Sequence, residues 1–395
     1  MSITRSHSMT IDAALREAID SGKVPGVVAM ATTPSGTIYE GAFGMRRLGG
    51  NEPMTLDTVF RIASMTKAIT AVAAMQLVEQ GKLSLDGPVP AIDSGLAAPQ
   101  VLIGFNAAGE PQLRPAKRPI TLKHLLTHTA GFCYEQWNAD LSRYVATTGM
   151  PQMATGKLAA MRMPLMFDPG ARWEYGINID WVGRLVEEAA GEQLDTYCRD
   201  KIFAPLGMKD TGFTVSLEQR ARQAVVHQRT PDGVLDPQPF EEPIEREFLA
   251  GGGGLYSTAG DYLAFLRMLL QGGSVDGRRI IKRETVALMG ENHIGDLPAG
   301  ILKTTRPLLT NDVDLFPGQR VRWGLGYMLT LDAGPNGRSA GSVTWAGIFN
   351  TYYWLDPKKQ VAGVIMTQIL PFADPTTLGV YGAFERGIYA ALDKA

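Results

Sequence analysis

Ser64-Met65-Thr66-Lys67 sets a hydroxyl and an amine three residues apart, at the start of a segment that stays apolar on nearly every side as far as Gln80. Positions i and i+3 share one face of a helix, so the two groups can meet. A serine hydroxyl is a weak nucleophile until a neighbouring base takes its proton. Lysine serves as that base only when burial or nearby cations pull its pKa from about 10.4 toward the working pH. A helix apolar all round is a buried one, which supplies that pull. Its N-terminal end adds free N–H groups and a dipole that favour developing negative charge. Alone, the spacing is common and usually belongs to a surface helix. Partners further along the chain must decide.

Tyr175 is the first partner, in Trp173-Glu174-Tyr175-Gly176-Ile177-Asn178-Ile179-Asp180. A tyrosine placed there delivers a proton to a leaving group, provided cations hold its pKa below about 10. The plain alternative is a packing tyrosine with a satisfied hydroxyl. Trp345-Ala346-Gly347 is the second partner, at the end of a C-terminal strand. A strand edge beside a bound ester offers a backbone N–H that completes an oxyanion hole with the N–H of Ser64. The alternative is a core tryptophan before a strand bend. Phe132, Tyr134 and Trp137 are candidates to line an acyl or alcohol pocket, or equally to pack a helical region.

Other matches fail on context. Gly337-Arg338-Ser339-Ala340-Gly341 fits G-x-S-x-G, but that motif works on a strand-to-helix turn and here a strand follows. His124 and His128 have the i, i+4 spacing of a zinc pair, yet Leu125 stands where a zinc protease carries glutamate, so no metal is expected. Gly251 to Gly254 lacks the lysine of a phosphate-binding loop and reads as a flexible connection between domains.

The elements that must position these groups follow from periodicity. Thr10 to Ser21 predicts an amphipathic helix, and Val27 to Met45 a hairpin turning at Pro34-Ser35-Gly36. From Leu83 to about Arg246 the chain reads as short helices between Pro- and Gly-containing loops, including Thr121–Thr127, Asp180–Ala190 and Leu194–Phe203. A helix over Ala259–Leu270 follows. Strands over Ser342–Trp345, Phe349–Asp356 and Val361–Thr367 come next, then a helix over Thr377–Ala391. Strands at both ends of the chain predict one sheet domain, residues 1–85 and 247–395, with a mostly helical domain, 86–246, inserted into it. The site would lie in the cleft between them.

Composition bounds the rest. The 395 residues are 45% hydrophobic and 20% charged, with a formal net charge of -2. Nucleic-acid binding needs a basic excess that is missing. No run of about 18 apolar residues predicts a membrane span. The first residues read as a helix rather than a secretion leader, and Cys133 and Cys198 as two free thiols in a cytoplasmic protein.

Ser64-Met65-Thr66-Lys67, Tyr175, His124 to Gly131, Pro205-Leu206-Gly207-Met208 and Gly253 to Thr258 together resemble, in order and spacing, the serine β-lactamase and penicillin-binding-protein superfamily. Within it the chain looks most like the family VIII carboxylesterases, relatives of class C β-lactamases; Tyr175-Gly176, Asp180 and Gly183 to Glu187 follow their pattern. The resemblance implies an α/β (α+β) β-lactamase/transpeptidase-like fold, an antiparallel sheet flanked by helices. It also implies Ser64 as nucleophile, Lys67 and Tyr175 as the acid/base pair, and an acyl-enzyme released by water. The N–H of Ile348 would join that of Ser64 in the oxyanion hole, and no cofactor would be needed. Two departures from the lactamase pattern matter. Ile177 occupies the asparagine position of the Tyr-x-Asn triplet, with Asn178 one residue later as a substrate-binding candidate. Trp345-Ala346-Gly347 replaces Lys-Thr-Gly, removing a charged hydrogen bond to a substrate carboxylate worth roughly 1.5–3 kcal/mol. Tryptophan suits an uncharged small-molecule ester instead. Esterase is therefore the leading expectation. A β-lactamase or D-amino-acid peptidase, an acyltransferase to an alcohol acceptor, and a sensor that acylates without turnover are the alternatives.

Overall fold

The computed structural model describes residues 4–239 and 245–393. Its main sheet is antiparallel throughout and has seven strands: β1 (Gly26–Thr33), β2 (Gly36–Gly44), β3 (Val321–Trp323), β4 (Met328–Thr330), β5 (Val343–Gly347), β6 (Thr351–Asp356) and β7 (Val361–Met366). They lie in the order β3-β4-β5-β6-β7-β1-β2. The hairpin β1–β2 joins the rest through β1 and β7, with Val28 opposite Met366 and Thr32 opposite Ala362. Both ends of the chain therefore close one sheet, as the distribution of apolar β-branched runs predicts.

Helices cover both faces: α1 (Arg5–Asp20), α2 (Thr66–Glu79), α3 (Asn178–Ala190), α4 (Ala259–Leu270) and α5 (Pro375–Leu392). Consecutive strand residues point to opposite faces, and β6 shows which helix each face receives. Trp354 meets Phe384 of α5, with ring centroids 5.5 Å apart. Its neighbour Tyr353 meets Tyr262 of α4 at 5.2 Å. Trp345 sits opposite Tyr353 in the register, so it shares the α4 side, where α2 also lies: the Tyr262 hydroxyl donates to the Met65 carbonyl at 2.9 Å. Every residue of α2 from Thr66 to Leu77 is buried, Lys67 included.

The stretch read as a mostly helical insert contains more β structure than its composition predicts. A hairpin pairs Gln100–Phe105 with Pro111–Pro115. A second, Val226–Arg229 with Leu235–Gln238, pairs with Ile369–Leu370 near the other end of the chain. The strands at 111–115 and 235–238 carry prolines and mostly exposed or half-buried residues, so neither alternation nor β propensity marks them. Cys133 and Cys198 are free and buried. Among the described residues, no helix is long and apolar enough to cross a membrane.

Candidate active site

The chain reaches Ser64 through a short strand, Phe60–Arg61, paired with Tyr256–Ser257. It then turns at Ala63, whose φ of 43° is unusual for a residue with a Cβ and costs about 1–3 kcal/mol. The turn is pinned on both sides, by the Ile62 N–H on the Leu255 carbonyl at 3.1 Å and by the bond from Tyr262 to Met65. The 3-10 turn Ala63–Met65 leads directly into α2. Ser64 thus stands at a helix N-terminus with its side chain in a cleft of about 290 Å³.

One turn on, Lys67 has no exposed surface. Its Nζ lies 3.1 Å from Ser64 Oγ, 3.1 Å from the Tyr134 hydroxyl and 2.6 Å from the Gly252 carbonyl. Burial pulls the ammonium from its ordinary 10.5 down to about 7, against the opposing attraction of the Asp180 carboxylate. The condition set for a lysine base is met by desolvation.

Tyr175 is also buried, and its hydroxyl accepts a hydrogen bond from Trp345 Nε1 at 2.9 Å. Ser64 is its other hydrogen-bonding neighbour. Its acidity runs opposite to the expectation from sequence. Burial pushes the phenol above its ordinary 10, although the bonds from Ser64 and Trp345 pull it down. Tyr175 therefore holds its proton at neutral pH and suits the part of an acid. The loop carrying it is set by His128, whose Nδ1 accepts from the Gly176 N–H at 3.4 Å and lies 3.1 Å from Asn178 Nδ2. Gly176 is required there: a Cβ would fall 2.2 Å from the Phe132 carbonyl oxygen.

The glycine run is not a flexible connection. Gly251 and Gly252 are buried and wedged between α2 and α3, with the Gly251 carbonyl accepting from Thr70 Oγ1 at 2.7 Å and the Gly252 carbonyl accepting from Lys67. A Cβ on Gly252 would sit 2.4 Å from Asp180 Oδ2. These glycines bring main chain into contact with two helices at once. From sequence, close approach and flexibility look the same.

Several anticipated residues meet in the cleft. Ser64, Tyr134, Trp137, Tyr175, Trp345, Ala346 and Ile348 all line it. Gly347 acts through the backbone: a Cβ would fall 2.3 Å from the Ile62 carbonyl oxygen, so its absence lets the end of β5 approach the strand before Ser64. Ile348, the next residue, lines the same cleft as Ser64. Two substrate-binding candidates lie elsewhere. Phe132 is fully buried against Trp181, and Asn178 donates to the Phe132 carbonyl at 2.9 Å and faces His128. Asn178 opens α3, so its side chain turns into the helical layer. His124 is occupied in a capping box with Thr121. The Ser339 N–H is bound to Asp356 at 2.8 Å, in a turn that leads into β5. Arg61, Phe349, Phe372, Ala154 and Tyr256 are also in the wall; Ala154, Phe349 and Phe372 are scattered singly over more than 200 residues, and no local pattern marks them as a set.

A strained turn before a serine, a desolvated lysine on it and a protonated tyrosine beside both define a class of protein. The family model described as Beta-lactamase matches residues 11–383, and the chain belongs to that family. It is 35% identical to Monacolin J acid methylbutanoyltransferase of Aspergillus terreus over 96% of this chain and 95% of the relative. Lovastatin esterase of Penicillium rubens is 34% identical over 96% and 98%. In structure it is similar to a mutant of simvastatin synthase from Aspergillus terreus, with a TM-score of 0.86, 32% identity and coverage of 99% and 96%. An enzyme of the serine β-lactamase superfamily acting on esters is what these relatives and this fold have in common.

Proposed function

We propose that this protein is a cytoplasmic serine carboxylesterase of the family VIII type, which hydrolyses uncharged esters with short to medium acyl groups. The observation that carries the reading is the buried Lys67 amine, near neutrality in its pKa and 3.1 Å from Ser64 Oγ. In the first half-reaction Ser64 Oγ attacks the ester carbonyl while its proton passes to the neutral lysine. The oxyanion is received by the N–H groups of Ser64 and Ile348. As the carbon–oxygen bond breaks, Tyr175 gives its proton to the departing alkoxide and is reprotonated from Lys67. Water then loses a proton to the same pair and attacks the acyl-enzyme, returning Ser64. No step requires a metal or an organic cofactor.

The aromatic wall of Trp137, Phe349 and Phe372 gives the acyl group apolar contact, with the Arg61 guanidinium of the same cleft bonded to the Tyr256 hydroxyl; this supports an ester with an apolar acyl group. Turnover of p-nitrophenyl butyrate by Ser64→Ala and Ser339→Ala tests the assignment. Ser64→Ala is expected to lose activity by at least about 10³-fold and Ser339→Ala to keep it; the reverse pattern in folded protein sinks the reading.

Transfer to an alcohol is the second reading, favoured by the methylbutanoyltransferase at 35% identity. The acyl-enzyme is shared, and only the second nucleophile differs. Product analysis with added alcohols separates the two by the ratio of new ester to free acid.

A further inference from the structure

The Lys67 amine has three acceptors, and a fourth group that does not touch it governs two of them. Asp180, in the first turn of α3, is 2% exposed. Its Oδ1 accepts the Gly252 N–H at 2.9 Å, and its Oδ2 receives the Tyr134 hydroxyl at 3.5 Å. Across its Cα, Gly252 presents its carbonyl, part of the next peptide, to Lys67, and the same Tyr134 oxygen lies 3.1 Å from Lys67 Nζ. One bridge runs from carboxylate to amine through the single Tyr134 hydroxyl, and the other through the two peptides that flank the Gly252 Cα, each with hydrogen toward Asp180 and oxygen toward Lys67. Both carboxylate oxygens face donors, so the ionised form is the one this geometry satisfies.

We propose that Asp180 is a positioning residue for the reaction: through Tyr134 and Gly252 it aims the Lys67 amine at Ser64, and it supplies the counter-charge for the ammonium that forms when the serine proton arrives. The proposal rests on the Ser64/Lys67 reading above. The other titratable groups facing this pair are uncharged. Burial holds the Tyr134 and Tyr175 phenols above their ordinary range, and burial together with Lys67 keeps His128 well below its own. Burial raises the Asp180 carboxyl above its ordinary range, against the pull of Lys67, the Gly252 N–H and the Tyr134 hydroxyl. With donors on both oxygens it is the group placed to carry the cluster's negative charge among the described residues, and Lys67 its positive charge once protonated. The cost of moving a proton onto a buried amine falls when a fixed negative charge already waits for it.

The sign of the effect is determinate. Lys67 must be neutral to accept the serine proton, so kcat/KM falls as pH drops through its pKa of about 7. Removing the carboxylate's charge destabilises the ammonium, so the acid limb moves to lower pH. The plateau falls as well, because the base is weaker and less well aimed. For Asp180→Asn we expect a limb displaced downward by about one unit and a plateau kcat reduced roughly tenfold or more. A role in folding alone would lower the plateau and leave the limb in place. Tyr134→Phe, which removes one bridge and one acceptor of the ammonium, is expected to move the limb the same way by less.

The experiment is the pH profile of p-nitrophenyl butyrate hydrolysis by wild type, Asp180→Asn and Tyr134→Phe, each checked for folding by circular dichroism, with Ser64→Ala alongside. If Ser64→Ala retains turnover, the catalytic reading itself fails. If Ser64→Ala is inactive and a folded Asp180→Asn keeps the wild-type limb, the Asp180 proposal is overturned. Should Asp180→Asn not fold, the limb of Tyr134→Phe decides the same question: displaced downward it supports the proposal, unmoved it overturns it.

Discussion

Trp345 shows how a substitution that removes one function of a site can supply another. Where a lysine of the lactamase pattern would offer charge to a substrate, the indole donates to Tyr175 at 2.9 Å and lines the cleft with its ring. The ring also packs against Tyr175 and Trp323, with centroids 4.9 and 4.8 Å away. Trp345→Phe keeps the apolar body and loses the donor. One neutral hydrogen bond is worth about 1 kcal/mol, so kcat should fall roughly fivefold while KM for a small p-nitrophenyl ester and the thermal midpoint stay near wild type. Equal kcat values would show that the indole N–H has no part in holding Tyr175. That Ser64, Lys67 and Tyr175 are candidates for one site was legible because residue types able to act as nucleophile, base and acid in such a pattern are scarce, and the structure brings the three together. The acidity of Tyr175 was not, since burial depends on neighbours far away in the chain.

At the scale of elements, two glycines with the same helix propensity meet opposite surroundings. Gly252 is pressed against α3, where a Cβ would lie 2.4 Å from Asp180 Oδ2. Gly379 lies within α5, where an added Cβ meets nothing within 4 Å. Gly252→Ala must push the run away from Lys67, at a cost of about 1–3 kcal/mol and with loss of activity. Gly379→Ala gains helix propensity, up to about 1 kcal/mol, with activity unchanged. Urea midpoints and initial rates check both. Helices with strong periodicity were legible: Ala259–Leu270 coincides with the predicted span. The hairpin at 100–115 was not, because its pairing is decided by main-chain bonds between two half-exposed segments.

For the whole molecule, the segment carrying Tyr134, Gln136 and Trp137 has to stay in register with the sheet that carries Trp345. A strap from Leu302 to Val313 does this. The Thr305 N–H donates to the Gln136 carbonyl at 2.8 Å, Arg306 pairs with the buried Glu135, and the Phe372 N–H donates to the Leu309 carbonyl at 3.0 Å. Trp137 and Phe372, held by the two ends of this strap, both line the cleft. Arg306→Ala leaves Glu135 buried without its guanidinium, and removing one partner of such a pair is costly. Arg306 is partly exposed, so the loss is expected at the low end, about 1–2 kcal/mol. KM should rise several-fold, with kcat changed less, because the strap shapes the wall and not the reacting atoms. Steady-state kinetics and a thermal melt read both effects.

By itself the sequence determined the candidate reacting groups, the α/β layering and the closure of one sheet by both ends of the chain. These are set by side-chain chemistry and by local hydrophobic period, which are written residue by residue. Only the tertiary structure decided that Gly251 and Gly252 hold Thr70 and Lys67 of α2 rather than flex, and that Asn178 turns inward to His128. It alone aligned Asp180 with the lysine through two intermediaries, and drew Phe349 and Phe372 to the same wall. Those outcomes depend on which distant segments press together, and contact between residues separated by a hundred positions leaves no period in the chain to read.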